Sequence, residues 1–236
     1  MGIRKNRRIT MTIAIILAAG NSKRTRGINK IFYRISGKPL IFYTIRAFEK
    51  HPQVNGIILV VRESDSKKFF TLIKKYGFKK IKLVARGGKK RQDSALNGLK
   101  AAEKLGAESG NLVLVHNGAN PLVSQNEITN VIQAAKKYKA ALVGQPARDT
   151  IKEVAKDKFI NKTIDRKRIF LAQTPQGIEY NLAKKAFEKA LQEKFEGTDD
   201  VSLVERLGKK VKIVPASFEN IKVTYPEDLK FVESQL

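Results

Sequence analysis

Short apolar runs alternate with amphipathic helical patterns along most of the chain, and this alternation restricts the fold more than any other feature. The runs are continuous and rich in β-branched residues, which is typical of strands buried on both faces of a parallel sheet. They predict strands at residues 13–17, 57–61, 81–84, 111–115, 140–143 and 211–214, and helices at 39–50, 64–76, 92–105, 123–138, 181–194, 201–207 and 226–235. Strands and helices in alternation predict an α/β fold with a doubly wound, mostly parallel sheet.

The alternation weakens between residues 146 and 168. Short strand-like pieces lie on both sides of Lys156-Asp157-Lys158, which predicts a projecting β-hairpin arm at about 146–168. Arms of this kind often pair with a second subunit. The remaining pattern predicts a single domain over 11–236, preceded by a basic, disordered leader over 1–10.

The chain is strongly basic. Its 236 residues include 47 Lys and Arg against 22 Asp and Glu, a net charge of +25, and this balance favours polyanionic partners. Cysteine is absent, which excludes disulfide and thiolate chemistry. No apolar run approaches the roughly 20 residues that span a bilayer. We therefore expect a cytoplasmic protein with no membrane partner.

The first predicted strand ends in a loop suited to phosphate. Ala18, Ala19 and Gly20 let a ligand approach the backbone closely, and exposed N–H groups at a strand end can form an anion-binding concavity. The cations Lys23, Arg24, Arg26 and Lys30 follow. The segment has neither the Gly-Lys-Ser/Thr triplet of a Walker loop nor the spacing of a dinucleotide fingerprint. A small-residue turn with solvated cations is the alternative interpretation.

Further polar segments follow other predicted strands, at residues 86–94, 116–121 and 148–150. Ligands in open α/β sheets bind beyond the carboxyl ends of the strands, so these segments should meet the first loop in one cleft. Gly88 and Ser94 are candidates for holding a nucleotide, although Ser94 or Asp93 could instead cap the following helix. His116 is expected to be a structural hydrogen-bonding residue. Asn117 carries an amide, which brings no negative charge to a metal.

Eight motifs occur in the order found in one enzyme family. They are Leu17-Ala18-Ala19-Gly20 with Arg24 and Lys30, Gly87-Gly88 with Ser94, His116-Asn117-Gly118-Ala119-Asn120-Pro121, Arg148-Asp149-Thr150, Asp165-Arg166, Gln173-Thr174-Pro175-Gln176, Thr198-Asp199-Asp200, and Asn220-Ile221-Lys222-Val223-Thr224 with Pro226-Glu227-Asp228-Leu229. Together they resemble the 2-C-methyl-D-erythritol 4-phosphate cytidylyltransferases, a sugar-phosphate cytidylyltransferase family of non-mevalonate isoprenoid biosynthesis. The resemblance runs from about residue 12 to the C-terminus and implies a Rossmann-like nucleotidyltransferase fold.

The resemblance implies a reaction in which CTP and 2-C-methyl-D-erythritol 4-phosphate give CDP-methylerythritol and pyrophosphate. It also implies Mg²⁺ bound mainly through the CTP phosphates, and a homodimer joined through the arm; it identifies no protein ligand for the metal. The implied catalytic residues are Arg24, Lys30, Arg166 and Lys222. The implied nucleotide-binding residues are Ala18, Ala19, Gly20, Gly88, Ser94 and Asn117, and the implied substrate-binding residues are Thr150, Thr174, Arg166 and Lys222.

Two segments depart from the usual pattern of the family. The family usually has an acid and an arginine where this chain has Asn117 and Asn120, and an acid is common where this chain has Lys89. Other acceptors therefore stay open, ribitol 5-phosphate first, although those enzymes usually carry Ala-Gly-Gly where this chain has residues 18–20. The alternative from another class is a catalytically altered homologue that binds nucleic acid. No base-stacking aromatic cluster supports it, so any nucleic-acid binding is expected to be non-specific.

Overall fold

The computed structural model describes residues 11–20 and 29–236, so the predictions for the leader at 1–10 and for Arg24 lie outside the described residues. The strands are β1 (Thr12–Ala18), β2 (Arg34–Ile35), β3 (Lys38–Pro39), β4 (Gly56–Val61), β5 (Ile81–Arg86), β6 (Leu112–Asn117), β7 (Ala140–Pro146), β8 (Ile151–Val154), β9 (Ile160–Ile164), β10 (Phe170–Glu179) and β11 (Lys212–Pro215). The helices are α1 (Leu40–Lys50), α2 (Ser66–Tyr76), α3 (Arg91–Lys104), α4 (Gln125–Tyr138), α5 (Tyr180–Gln192), α6 (Asp200–Arg206) and α7 (Pro226–Gln235).

Within this part of the chain, seven strands form one sheet in the order β11-β7-β10-β6-β1-β4-β5. β1 pairs in parallel with both β4 and β6, and the pairs β4–β5 and β7–β11 are also parallel. β10 runs antiparallel to both of its neighbours, β6 and β7. The doubly wound, mostly parallel sheet predicted from the alternation is confirmed.

The sheet is buried on both faces. Ala14 and Ile16 of β1 point into one hydrophobic core, and Ile13 and Ile15 point into the other. Side chains of α1, α2, α4 and α7 complete the first core, and those of α3, α5 and α6 complete the second. Strands covered on both faces need apolar residues at every position, which explains their continuous apolar runs.

The projecting arm is a two-stranded hairpin. β8 pairs antiparallel with β9, with Ile151 opposite Ile164, and most of the side chains in these two strands are exposed. The arm connects β7 to β10 and so leaves the sheet next to the loops at the carboxyl ends of the parallel strands. No helix in the described ranges has both the length and the apolar character needed to cross a membrane.

Candidate active site

A cavity of about 450 Å³ opens where β1, β5 and β6 end. This is the edge of the sheet at which open α/β folds bind ligands. Eight residues assigned from the sequence line it, namely Ala18, Ala19, Gly20, Lys30, Gly88, Ser94, Asn117 and Lys222. The loops after three different strands therefore meet in one cleft, which we call the first cavity.

The loops that follow β1 and β5 approach each other closely at Ala19 and Gly87. Gly87 donates its N–H to the Val61 carbonyl at 2.8 Å, and a Cβ on Gly87 would overlap the Cβ of Ala19. Glycine is therefore required at residue 87 for this approach. Gly20 does not adopt a left-handed φ, and no described atom lies within 4 Å of where its Cβ would be. The contribution of Gly20 is open space beside the backbone.

The loop from β5 into α3 is held by its own side chains. Ser94 Oγ accepts the N–H of Gly88 at 3.0 Å and donates to the Lys90 carbonyl at 3.1 Å. Asp93 accepts the N–H of Lys90 at 3.0 Å, which satisfies a backbone donor at the start of the helix. Asp93 therefore caps α3, and Ser94 fixes Gly88 against the helix.

Positive charge dominates the first cavity. Its cationic residues are Lys30, Arg62, Lys89, Lys90, Arg91 and Lys222, and none of the described lining residues is Asp or Glu. Lys30 Nζ donates to the Val223 carbonyl at 2.8 Å, which ties this cation to the segment that carries Lys222. Fixed cations beside exposed backbone N–H groups favour a ligand with several phosphates.

A second cavity, of about 310 Å³, lies beside the first and is lined by the first half of β10. Arg91, Asn117 and Lys222 line both cavities. Thr174, assigned to substrate from the sequence, lines the second cavity, and its hydroxyl accepts the Asn117 N–H at 3.3 Å. Two adjoining cavities with shared walls can bring two ligands together.

Arg91 is a residue of this site that received no role from the sequence. Its guanidinium makes two hydrogen bonds, of 2.8 and 2.7 Å, to the buried carboxylate of Asp200. Burial by itself lowers the pKa of Arg91, but the Asp200 carboxylate outweighs burial and raises that pKa. Arg91 is thus a fixed cation between the cavities. Its position directly after the basic glycine loop is the local signal that could have identified it.

His116 lies fully buried at the end of β6. Its Nε2 is 3.0 Å from the Asn120 carbonyl, and its ring centroid is 4.9 Å from that of Phe48. Burial lowers the pKa of His116 to about 4, so the ring is neutral at pH 7 and Nε2–H donates to the carbonyl. This is the structural role expected from the sequence, and it shapes the loop that carries Asn117.

Thr150 and Arg166, both assigned to substrate from the sequence, lie at the base of the arm. Both are exposed, and neither lines the first or the second cavity. Arg166 donates to the Arg148 carbonyl across the arm. The structure therefore brings Lys30, Lys222 and Thr174 together within one chain and leaves Thr150 and Arg166 apart from them.

The described part of the chain has no cluster of three or more His, Asp or Glu residues that could hold a metal ion. In the first cavity the wall is cationic, and Asn117 and Ser94 offer neutral oxygens. Mg²⁺ in phosphate sites usually takes one or two carboxylates together with phosphate oxygens. The donor set of this wall does not fit an Mg²⁺ held by the protein itself.

The comparisons with known proteins agree on one family. Residues 12–236 match the family model described as 2-C-methyl-D-erythritol 4-phosphate cytidylyltransferase. The enzyme of that name from Syntrophus aciditrophicus is 42% identical over 226 residues, 95% of each chain, and that from Caldanaerobacter subterraneus is 44% identical over 223 residues, 93% of this chain and 96% of the relative. The crystal structure of 4-diphosphocytidyl-2C-methyl-D-erythritol synthase from Anaerococcus prevotii superposes with a TM-score of 0.84 at 30% identity, covering 96% of each chain.

Proposed function

This chain belongs to the 2-C-methyl-D-erythritol 4-phosphate cytidylyltransferase family, and we propose that the first cavity holds CTP and the second holds the sugar-alcohol phosphate. The chain is a nucleotidyltransferase that moves CMP from CTP to 2-C-methyl-D-erythritol 4-phosphate, giving CDP-methylerythritol and pyrophosphate in isoprenoid biosynthesis. One observation carries the division of the substrates: Arg91, Asn117 and Lys222 line both cavities, so the reacting groups would meet at these residues.

The reaction joins two anions, which explains the cations in the wall. A phosphate oxygen of the acceptor attacks the α-phosphorus of CTP, a P–O bond forms there, and the bond to the pyrophosphate oxygen breaks. Negative charge gathers on the α-phosphate and on the departing pyrophosphate, and fixed cations stabilise it. Lys30 and Arg24 are proposed to stabilise these two groups. Lys222 is proposed to hold the acceptor phosphate in line for attack.

The neutral residues are proposed to position the substrates. Backbone N–H groups at residues 18–20 cradle CTP. The N–H of Gly88 is donated to Ser94, so Gly88 and Ser94 contribute the shape of the wall beside CTP. Thr174, in the wall of the second cavity, contacts the acceptor. Held in this way, the two substrates react as if they were parts of one molecule.

We expect Mg²⁺ to enter the site on CTP, with phosphate oxygens as its main ligands. When bound, it neutralises part of the triphosphate charge. The described wall adds no carboxylate to it, so the cations of the chain, and not a protein-held metal, carry the proposed stabilisation.

The arm is proposed to pack on a second copy of the chain. It exposes Phe159 at 74% and Ile160 at 60%, and an apolar surface of this kind is stabilised when a partner covers it. In the resulting homodimer, Thr150 and Arg166 of one protomer would complete the acceptor cavity of its partner. The cytoplasmic location stays a prediction.

The test is pyrophosphate release from CTP and Mg²⁺, measured with 2-C-methyl-D-erythritol 4-phosphate, with ribitol 5-phosphate and with no acceptor. Release that depends on the first acceptor is the expected result. Release with ribitol 5-phosphate instead would identify that compound as the acceptor. No release from folded protein with either compound would contradict the proposed function. The replacement of the usual charged residues by Asn117 and Asn120 would then be the first explanation to test.

A further inference from the structure

Glu127 is a buried carboxylate at the start of α4, 3% exposed, and it lines neither cavity. Both of its oxygens accept hydrogen bonds from neutral donors. Oε2 accepts the N–H and the hydroxyl of Ser124 at 2.7 and 2.9 Å, and Oε1 accepts the N–H of Ser217 at 2.8 Å and Nδ2 of Asn220 at 3.4 Å. The carboxylate thus joins the cap of α4 to the segment that leads to Lys222.

From Glu127 a row of three side-chain amides leads to the junction of the two cavities. Asn120 Nδ2 donates to Asn220 Oδ1 at 3.4 Å, and Asn117 Nδ2 donates to Asn120 Oδ1 at 3.3 Å. Arg91 Nε then donates to Asn117 Oδ1 at 3.3 Å. We call Asn220, Asn120 and Asn117 the amide chain.

The two ends of the amide chain fix its direction. A carboxylate only accepts hydrogen bonds, so Asn220 must turn its NH₂ group toward Glu127 and its oxygen toward Asn120. A guanidinium only donates, so Asn117 must turn its oxygen toward Arg91 and its NH₂ group toward Asn120. Both constraints give Asn120 the same orientation, with its NH₂ group toward Asn220 and its oxygen toward Asn117. Asn120 is 1% exposed. Each amide in this row therefore has one satisfied orientation.

The amide chain also reaches the wall of the second cavity. Asn220 Nδ2 donates to the Thr174 carbonyl at 3.0 Å, and Asn117 Nδ2 lies 3.4 Å from Thr174 Oγ1. The backbone carbonyl and the hydroxyl of Thr174 are thus both held by members of the amide chain, which Glu127 orients from one end and Arg91 from the other. We propose that Glu127 is a positioning residue of the transferase, which fixes Asn117 and Thr174 for the acceptor through the amide chain. The inference rests on the proposed assignment of the second cavity to the acceptor.

The test compares Glu127→Gln with the matched control Ser124→Ala. Glutamine keeps one oxygen and has an NH₂ group in place of the other, so the two sets of donors that Glu127 now accepts, Ser124 on one side and Ser217 with Asn220 on the other, must share a single acceptor. Ser124→Ala removes a bond to the same carboxylate on the side away from the amide chain. Both variants weaken the α4 cap, so a loss of stability does not separate them. We expect Glu127→Gln to raise the acceptor KM about tenfold, as expected for one unsatisfied buried hydrogen bond, with a smaller rise in the KM for CTP, because Asn117 lines both cavities whereas Thr174 lines only the second. Ser124→Ala should leave both KM values unchanged.

A second readout does not depend on turnover. The side-chain NH₂ resonances of Asn117 in the ¹⁵N spectrum, identified by their loss in Asn117→Ser, should shift in Glu127→Gln and stay in place in Ser124→Ala. If Glu127→Gln does not fold, Asn120→Asp serves instead, because it keeps the volume and removes the donor to Asn220. An unmoved Asn117 resonance, or equal KM changes in test and control variants, would overturn the inference. A shifted resonance in protein that uses no acceptor would leave the positioning by Glu127 standing and reject the proposed function.

Discussion

Burial of a neutral His116 makes the stability of this protein depend on pH below neutrality. The side chain is fully buried, and burial lowers its pKa from the ordinary 6.5 to about 4. In the unfolded chain the imidazole takes up a proton near pH 6.5, whereas in the folded chain it stays neutral until about pH 4. Between these values the unfolded state binds the extra proton, so acidification favours unfolding.

The size of the effect follows from the two pKa values. One pKa unit corresponds to 1.36 kcal/mol, so a change from 6.5 to about 4 amounts to roughly 3 kcal/mol. This stability is fully present above pH 6.5 and is lost as the pH falls toward 4. Single domains typically have a free energy of unfolding of about 5–15 kcal/mol, so a loss of this size is a large fraction of the total.

Urea unfolding across this pH range checks the argument in the wild type and in His116→Gln, which keeps an N–H donor for the Asn120 carbonyl but does not titrate. The free energy of unfolding of the wild type should fall by about 3 kcal/mol more than that of the variant between neutral pH and about pH 4. The other histidine of the chain is His51. Burial, and after it the charge of Lys80, lowers the pKa of His51 too, so His51→Gln should also make the free energy of unfolding depend less on pH. Parallel curves for wild type and His116→Gln would refute the reasoning.

Four further outcomes are expected. Lys30→Met should lower kcat by about 100-fold or more, since it removes a fixed charge from the transition state, with a near-normal melting temperature; near-normal turnover would remove Lys30 from the reaction. Gly87→Ala should destabilise the protein by about 1–3 kcal/mol through overlap with Ala19, which urea unfolding measures. Phe159→Asp should convert the proposed dimer to a monomer in light scattering and reduce use of the acceptor. Phe70, 59% exposed on α2, gives the control variant Phe70→Asp, which should do neither. Calorimetry should detect Mg²⁺ binding to the protein only when CTP is present.

The apolar runs predicted most of the sheet and helices because parallel strands are buried on both faces. The strand predicted at 57–61 is observed as Gly56–Val61, and the helix predicted at 226–235 is observed as Pro226–Gln235. Differences are mostly at the ends of elements. The helix predicted from residue 64 begins at Ser66, because Glu63–Asp65 forms a 3₁₀ turn first.

β10 was not predicted, and its composition explains why. Its middle contains Gln173, Thr174 and Gln176 around Pro175, and proline inside an apparent strand argues against a central position in a sheet. The pairing with β7 shifts register between Ala172 and Gln176, so the strand tolerates the proline. The same interruption lets polar residues of β10 line the second cavity.

The candidate site was predictable only where local sequence determines position. Gly88 and Ser94 lie in the first cavity because they follow a parallel strand, and all such strands end at the same edge of the sheet. Arg91 begins the helix directly after this loop, but its partner Asp200 is 109 residues away. The basic loop could have pointed to Arg91 itself, but its contact with Asp200 depends on how α6 packs against the sheet, so no local pattern could identify that partner.

The pair Arg91–Asp200 also bears on the neutral residues Asn117 and Asn120. An acid at 117 and an arginine at 120, the usual residues of the family, would add one negative and one positive charge, so their replacement by two amides leaves the net charge of the site unchanged. Asp200 supplies Arg91 with its carboxylate, and the two amides satisfy each other. Because Arg91 keeps a carboxylate partner and Asn117 and Asn120 bond to each other, we expect turnover of 2-C-methyl-D-erythritol 4-phosphate with both amides in place. Asn117→Asp alone would set a second carboxylate beside Arg91 in competition with Asp200, and should therefore lower activity instead of restoring it.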